Sequence, residues 1–373
     1  MSSLMKELRI GGITIPNRFM RSSLWEKMSD ASGVPSQRLI QTITKLAEGK
    51  VGLILPGVVF PSNKARLNPF QAGFSNDQQI EGWRPAVQNC HKNGSKIIFQ
   101  FSHGGLRAAV PRAPTQKGDV PEMSVTEIEE LIEDFTKAAK GAHKIGADGV
   151  QLQCAQGFLL STFLSPLTNH RNDKYGGSVD NRIRIVQEAV DSIRSATDRN
   201  FVISIKMNGD DCVDGGIKPR DAAEIVNKLK NIDLFEISCA INGGLDGIRP
   251  VIHKSLFKNT TPQEKKQFEY IATHLRREAP YHEGYNVIAA TIIKRYNPNK
   301  IIASVGGNRD FTLMEDYIKT GMFDMVSIAR PFIRDPYLVR NYIEGKATKI
   351  ACESCNECSL RPGDFIHCHY PSD

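Results

Sequence analysis

The chain is 373 residues long, 40% hydrophobic and 24% charged, and 48 basic against 41 acidic residues give a net charge of +7. That length is large for one compact sandwich and suits one large α/β barrel or two ordinary domains. The basic excess is mild and spread out, which argues against nucleic acid and fits attraction of anionic ligands such as phosphates. No stretch approaches the ~20 apolar residues of a membrane span.

The N-terminus, MSSLMKELRIGG, lacks an apolar signal core, so a cytoplasmic protein is expected. Short β-branched runs then alternate with longer helical patterns. Strands are predicted at 17–23, 51–57, 96–102, 148–153, 201–207, 234–238, 300–305 and 324–329, each nearly continuous in apolarity, as parallel strands covered on both faces are. Helical stripes fall at 36–47, 124–143, 179–196, 219–230 and 310–319. The clearest opens with the capping box Ser124-x-x-Glu127 and runs through Ile128, Leu131, Ile132, Phe135, Ala138 and Ala139 on one face. Eight strands mostly separated by helices predict a (β/α)8 TIM barrel. A doubly wound sheet is the weaker alternative, because no Gly-x-Gly-x-x-Gly follows the first strand. The long insertion 239–297, between the sixth and seventh strands, reads either as a lid over the barrel mouth or as a peripheral helical addition. The expected division is a barrel over 1–345 and a short cysteine-rich tail over 346–373.

In such a barrel the chemistry gathers where strands end. The first strand delivers Ser22, Ser23, Leu24 and Trp25, the second Gly57, and the third Gln100. The fourth delivers Gln153, Gln156 and Phe158, the fifth Lys206, the seventh Gly306 and Gly307, and the eighth Ala329 and Arg330. Gly306 and Gly307 let backbone N–H groups approach a phosphate, and Arg330 adds a charge-assisted fork; a simple tight turn is the plainer reading. Lys206 faces either Asp210 or Asp211, or the negative ring of a cofactor. Gln100 offers a donor and an acceptor to a heterocycle edge, or is a satisfied core amide.

The segment 157–185 carries Asn169-x-Arg171-x-Asp173-x-Tyr175-Gly176-Gly177-Ser178 followed by Asn181-Arg182. Together with NRF (17–19), GLIL (52–55), QFSHGG (100–105), VGG (305–307) and SIARPFIRDP (327–336), it resembles the old yellow enzyme family, the NADH:flavin oxidoreductases, over nearly the whole chain. The resemblance implies a barrel that holds FMN non-covalently, takes electrons from NADH or NADPH, and passes hydride from flavin N5 to a small organic acceptor. It implies that Ser22, Ser23, Leu24 and Trp25 line the flavin and that Gly57 leaves room for its ring. Gln100 would bond the pyrimidine edge, and Lys206 would stabilise negative charge near N1 and O2. Gly306, Gly307, Ala329 and Arg330 would hold the phosphate. The implied partner is a small-molecule substrate, neither nucleic acid nor membrane, with homo-oligomerisation left open.

The fourth strand end departs from the family. Members usually carry His-x-x-His or His-x-x-Asn, then Gly-Tyr; this chain has Gln153-x-x-Gln156-Gly157-Phe158. The amides still bind an oxygen but have no tunable pKa, and Phe158 has no proton to give. Losing a positioned acid costs roughly 10²–10⁴-fold in rate. Trp25 also replaces the Cys or Thr that usually tunes the flavin. Lys27, near a family substrate position, and Tyr175 are speculative replacement acids, and both read better as surface residues. The flavin half is therefore expected intact and the substrate half rebuilt. The alternative to turnover is a flavin-binding redox sensor or a catalytically degenerate member.

Four of the eight cysteines, Cys90, Cys154, Cys212 and Cys239, are scattered singly, as reduced core thiols would be. The tail carries Cys352-x-x-Cys355-x-x-Cys358 and then Cys368. It resembles the cluster segment of trimethylamine dehydrogenase and 2,4-dienoyl-CoA reductase, which implies a 4Fe–4S cluster. A structural zinc, with His367 or His369 as an alternative ligand, and a metal-free remnant are the other readings. A metallated tail would allow a third role, as an electron-transfer subunit for a separate chain.

Overall fold

The structure, a computed structural model, describes residues 2–241, 262, 283–356, 358 and 365–369. It opens with an antiparallel hairpin, β1 (Leu8–Ile10) and β2 (Ile13–Ile15), joined by Gly11-Gly12. Gly11 sits at φ 54, and a Cβ on Gly12 would lie 2.2 Å from the Asn200 Cα, so the turn needs glycine at both places.

Eight parallel strands follow and close on themselves. They are β3 (Phe19–Arg21), β4 (Leu53–Ile54), β5 (Lys96–Phe101), β6 (Gly149–Cys154), β7 (Val202–Asp210), β8 (Leu234–Cys239), β9 (Ile302–Val305) and β10 (Met325–Ile328), with β10 pairing back onto β3. Around them run α1 (Gln37–Glu48), α2 (Asp77–Gly82), α3 (Arg84–Lys92), α4 (Val125–Lys144), α5 (Leu159–Leu164), α6 (Val179–Ala196), α7 (Pro219–Lys228), α8 (Val287–Tyr296), α9 (Phe311–Lys319), α10 (Pro331–Arg334) and α11 (Leu338–Ile343). This is the expected TIM barrel. All eight predicted strands and all five helical stripes are present, while the hairpin, α2, α3, α5, α10 and α11 were not foreseen. Most of the long insertion, 242–261 and 263–282, lies outside the described residues, and with it the expected lid.

Local chemistry accounts for the helices. Ser124 accepts from the Glu127 N–H at 3.2 Å while the Glu127 carboxylate accepts from the Ser124 N–H at 2.9 Å, starting α4 with two end groups satisfied. Such a cap contributes about 0.5–2 kcal/mol. Ile128, Leu131, Phe135, Ala138 and Ala139 then bury against the barrel, with Ile132 at the edge.

The strands sort their side chains by a period of two. One set, including Phe19, Ile54, Phe99, Val150, Leu152, Ile203, Ile205, Phe235, Ile237 and Val326, joins the large core beneath the helices. The alternate set points into the barrel. At its lower end Met20, Leu53, Ile98, Val202, Leu234, Ala303 and Met325 pack with Ile10, Ile13 and Ile15 of the hairpin, which seals that end with hydrocarbon. One step up six of the strands the interior turns polar, with Ser22, Gln100, Gln151, Ser204, Glu236 and Ser327 all buried. The runs that read as evenly apolar therefore carry a polar interior face.

The diagnostic segment before α6 is structural. The Asn169 Nδ2 donates to the Phe163 and Tyr175 carbonyls, 2.8 Å each. Arg171 forks onto Asp173 and donates to the Pro114 and Met123 carbonyls. Tyr175, expected at the surface, is buried, and its hydroxyl donates to Glu188 at 2.8 Å. Among the core cysteines, Cys90, Cys154 and Cys239 are buried. Cys212 and Cys239 are not isolated, because the ends of β7 and β8 bring the two thiols into hydrogen-bond contact; that contact, and then burial, hold the Cys239 thiol well above its usual range.

Candidate active site

Above the polar layer, at the C-terminal ends of the strands, lies a cavity of about 270 Å³. Ser22, Ser23, Leu24, Trp25, Gln100, Gln153, Gln156, Phe158, Lys206, Gly306, Gly307, Ala329 and Arg330 all line it. With Val58 and Ser238, which also line it, eight strand ends scattered over more than 300 positions of sequence converge on one space.

Register explains the floor. Gln153 on β6 lies opposite Lys206 on β7, and Lys206 lies opposite Glu236 on β8. The Lys206 Nζ donates to the Ser22 Oγ at 2.8 Å and stands 3.6 Å from the Glu236 Oε1. That oxygen also accepts from the Ser22 and Ser327 hydroxyls, at 2.6 and 2.7 Å. Lys206 thus faces neither Asp210 nor Asp211; its partner is Glu236, fully buried on the next strand. Beside it the Gln100 Nε2 donates to the Gln151 Oε1 at 2.5 Å, and the Gln151 Nε2 to the Ser204 Oγ at 3.0 Å, fixing the plane of the Gln100 amide.

The opposite corner is built differently. Gln156 has a left-handed backbone, φ 60, which turns the chain sharply after β6. Its N–H donates to the Asn208 Oδ1 at 3.1 Å, and its Nε2 to the Ser238 Oγ at 3.1 Å. The Gln153 Nε2 reaches the Gln156 Oε1 at 3.5 Å, a weak contact, and the buried Gln153 Oε1 has no partner among the described residues. Each amide keeps one further N–H. The Arg107 guanidinium lies 4.8 Å above the centre of the Phe158 ring, so a cation covers the place where the family usually presents a phenol.

At the third side, Gly306 (φ 133) and Gly307 (φ 71) take backbone shapes that side chains avoid. A Cβ on Gly306 would lie 2.3 Å from the Tyr285 ring. Arg330 reaches in from the end of β10, where its Nη1 donates to the Asn356 side chain.

Two expected positions fall elsewhere. Gly57 does not line the cavity; a Cβ there would lie 1.8 Å from the Glu26 Oε2 and 2.1 Å from the Leu24 carbonyl, so the room it leaves is taken by this chain's own carboxylate, which is paired with Arg21. Burial pushes that carboxyl up, and Arg21 pulls against it. Lys27, at φ 54, does not line the cavity either, because it folds its ammonium onto the Trp25 ring 4.9 Å away. The tail cysteines Cys352, Cys355, Cys358 and Cys368 share one narrow cleft with His369. Among the described residues, however, no three His, Cys, Asp or Glu side chains stand where they could hold a metal ion, so the cluster and zinc expectations find no support.

Glu236, Ser238, Arg107, Tyr285, Asn308, Arg309, Ser354 and Asn356 are the site residues that sequence reasoning missed. Glu236 left a signal, a lone acid in the run LFEIS; Ser354 and Asn356 were hidden between cysteines.

The wall suits a phosphate-bearing heterocycle. Four cations line it, Arg107, Lys206, Arg309 and Arg330, and no Asp or Glu does among the described residues. Buried and unpartnered among those residues are the Ser23 Oγ, the Trp25 Nε1, the Gln153 Oε1, the Asn308 Oδ1 and the Asn356 Nδ2, a mixed set of donors and acceptors on residues that line the cavity.

Comparison with known proteins agrees. The family described as NADH:flavin oxidoreductase / NADH oxidase matches residues 3–349. The chain is 29% identical over 369 residues to a protein named NADH oxidase from Thermoanaerobacter brockii, covering 95% of this chain and 53% of that protein. It is 28% identical over 342 residues to the NADPH dehydrogenase of Clostridium acetobutylicum, covering 88% and 91%. A solved complex of 2-naphthoyl-CoA reductase superposes with a TM-score of 0.82 at 22% identity, covering 96% of this chain and 55% of that one, a likeness of fold. The chain thus spans about half the length of some relatives and nine-tenths of others. Among the described residues, no helix is long and apolar enough to cross a membrane.

Proposed function

The chain belongs to the NADH:flavin oxidoreductase / NADH oxidase family, and from that premise we propose that it is an FMN-dependent oxidoreductase. Its electron donor is NADH or NADPH, and its acceptor is a small organic molecule seated at Gln153 and Gln156. The observation that carries the reading is the cavity wall: Lys206, Gln100, the Gly306-Gly307 turn and Arg330 line one space, free of carboxylates among the described residues.

Bound FMN would accept hydride from the nicotinamide and pass it to the acceptor. Everything else is the work of this chain's side chains. Gly306 and Gly307 expose backbone N–H groups, and Arg330 a guanidinium, to the phosphate. Gln100, its amide plane fixed by Gln151, presents a defined edge to the ring. Lys206 would set a positive charge beside bound flavin. Its link through Ser22 to Glu236 holds the ammonium in place without matching it one to one, since Glu236 also serves Ser327. Such fixed charge favours whichever state of the ring is more negative. Gln153 and Gln156 orient the acceptor through their remaining N–H groups, and the Gln153 Oε1 takes a hydrogen-bond donor from it. Phe158 supplies packing and no proton, so the proton for a reduced carbon comes from water or from another side chain.

The test is anaerobic. Reconstituted with FMN, the protein should bleach near 450 nm on addition of NADH or NADPH. No bleaching with either nucleotide overturns the proposal. A second reading, a flavin-bearing sensor or catalytically degenerate member, is favoured by Phe158 and by the neutral amides beside it. Turnover of enones, quinones or nitro compounds well above reaction with oxygen would exclude it.

A further inference from the structure

The tail returns to the cavity. Residues 352–356 pass over its phosphate side, tied down where the Arg309 Nη1 donates to the Cys352 carbonyl at 3.2 Å and the Arg330 Nη1 donates to the Asn356 Oδ1. Ser354 and Asn356 line the cavity together with Gly306, Gly307 and Arg330. Both have left-handed backbones, φ 56 and 64, on either side of Cys355, a tightly coiled run that brings the two residues to one cavity. Asn356 is 1% exposed and Ser354 4%. The Asn356 Nδ2 is buried with no partner among the described residues, and a buried donor left unmade is costly. Among the described residues the atom thus lacks an acceptor, and it belongs to a side chain that lines the same cavity as the glycine pair and Arg330.

We propose that the tail is a clasp on the cofactor phosphate: the Asn356 Oδ1 holds the Arg330 guanidinium in position while its Nδ2 donates to a phosphate oxygen. This rests on the FMN reading above. It assigns a role to a segment beyond the family match, which ends at residue 349. It also gives the cysteine-rich run a use without metal, as the carrier of the two polar side chains between its sulfurs. The contribution is a neutral one: Asn356 adds a donor without adding charge and stops Arg330 from swinging toward solvent.

The experiment uses the full-length protein stripped of flavin. FMN and riboflavin, which lacks the phosphate, are titrated separately and followed by quenching of flavin fluorescence. Asn356→Gly removes the side chain yet tolerates the left-handed backbone, so folding is preserved. It should weaken FMN about tenfold or more and leave riboflavin unchanged. Asn356→Asp, of the same shape but negative, should weaken FMN further still. Unchanged FMN affinity in Asn356→Gly, or equal losses for FMN and riboflavin, would overturn the clasp. If the unaltered protein binds neither flavin, the underlying FMN reading fails instead, and the two failures are distinguishable.

Discussion

The two ends of the cavity are held by different means. Around Lys206 the groups sit on strands, in register, knitted by hydrogen bonds that run from β3 to β7, β8 and β10. Around Phe158 they sit on the turn after β6 and on the loop that carries Arg107, with a left-handed residue at the corner and a buried acceptor left unmatched among the described residues. The first end is rigid and charged, as suits a cofactor that stays. The second is neutral beneath a cation and adaptable, as suits a partner that comes and goes.

The comparison breaks most visibly at Lys206. Replacing it with Met leaves Glu236 fully buried without its cation, which should cost about 3–5 kcal/mol of stability, read by denaturant unfolding of the flavin-free protein. Adding Glu236→Gln should restore most of that loss; if it does not, the ion pair is not what holds this end. Next in size, Phe158→Tyr restores a proton donor and should raise turnover of an activated alkene about 100-fold, with flavin reduction by nicotinamide unchanged. A smaller effect is expected of Gln153→Ala: about tenfold in acceptor KM, with FMN content intact, because one hydrogen bond is worth roughly that.

The smallest effect concerns pH. Burial, and then Arg112, hold the His103 imidazole down to about 4. Its Nδ1 accepts from the Gly105 N–H and its carbonyl from the Leu159 N–H, 3.1 Å each, so it props the acceptor end. A depressed histidine binds fewer protons folded than unfolded. Its contribution is complete above about pH 6.5 and fades as pH falls toward 4. By pH 6 the loss should be just under about 1 kcal/mol, and His103→Gln should flatten that part of the unfolding profile.

The barrel was legible because each strand is a dense apolar run and α4 announces its own start at Ser124. Most of the cavity was legible too, since polar residues at strand ends have no other place to go. What stayed hidden had physical reasons. The N-terminal strands are three residues each, too short for periodicity to register, though Gly11-Gly12 between alternating residues was a usable turn signal. Glu236 reads as one acid in an apolar run until β7 is laid beside it. Asn356 belongs to the cavity only through a long-range return of the chain. Conversely, the most recognisable stretch, from Asn169 to Arg182, braces loops and does not line the cavity.

The hydrocarbon stopper formed by Ile10, Ile13 and Ile15 has a kinetic corollary. A vessel corked at its base is filled and emptied from its upper end. On the FMN reading, a reductant and an oxidant that share this opening would take turns in the same seat. Initial rates measured while both are varied should then trace parallel lines in double-reciprocal form, the mark of partners that alternate and never meet.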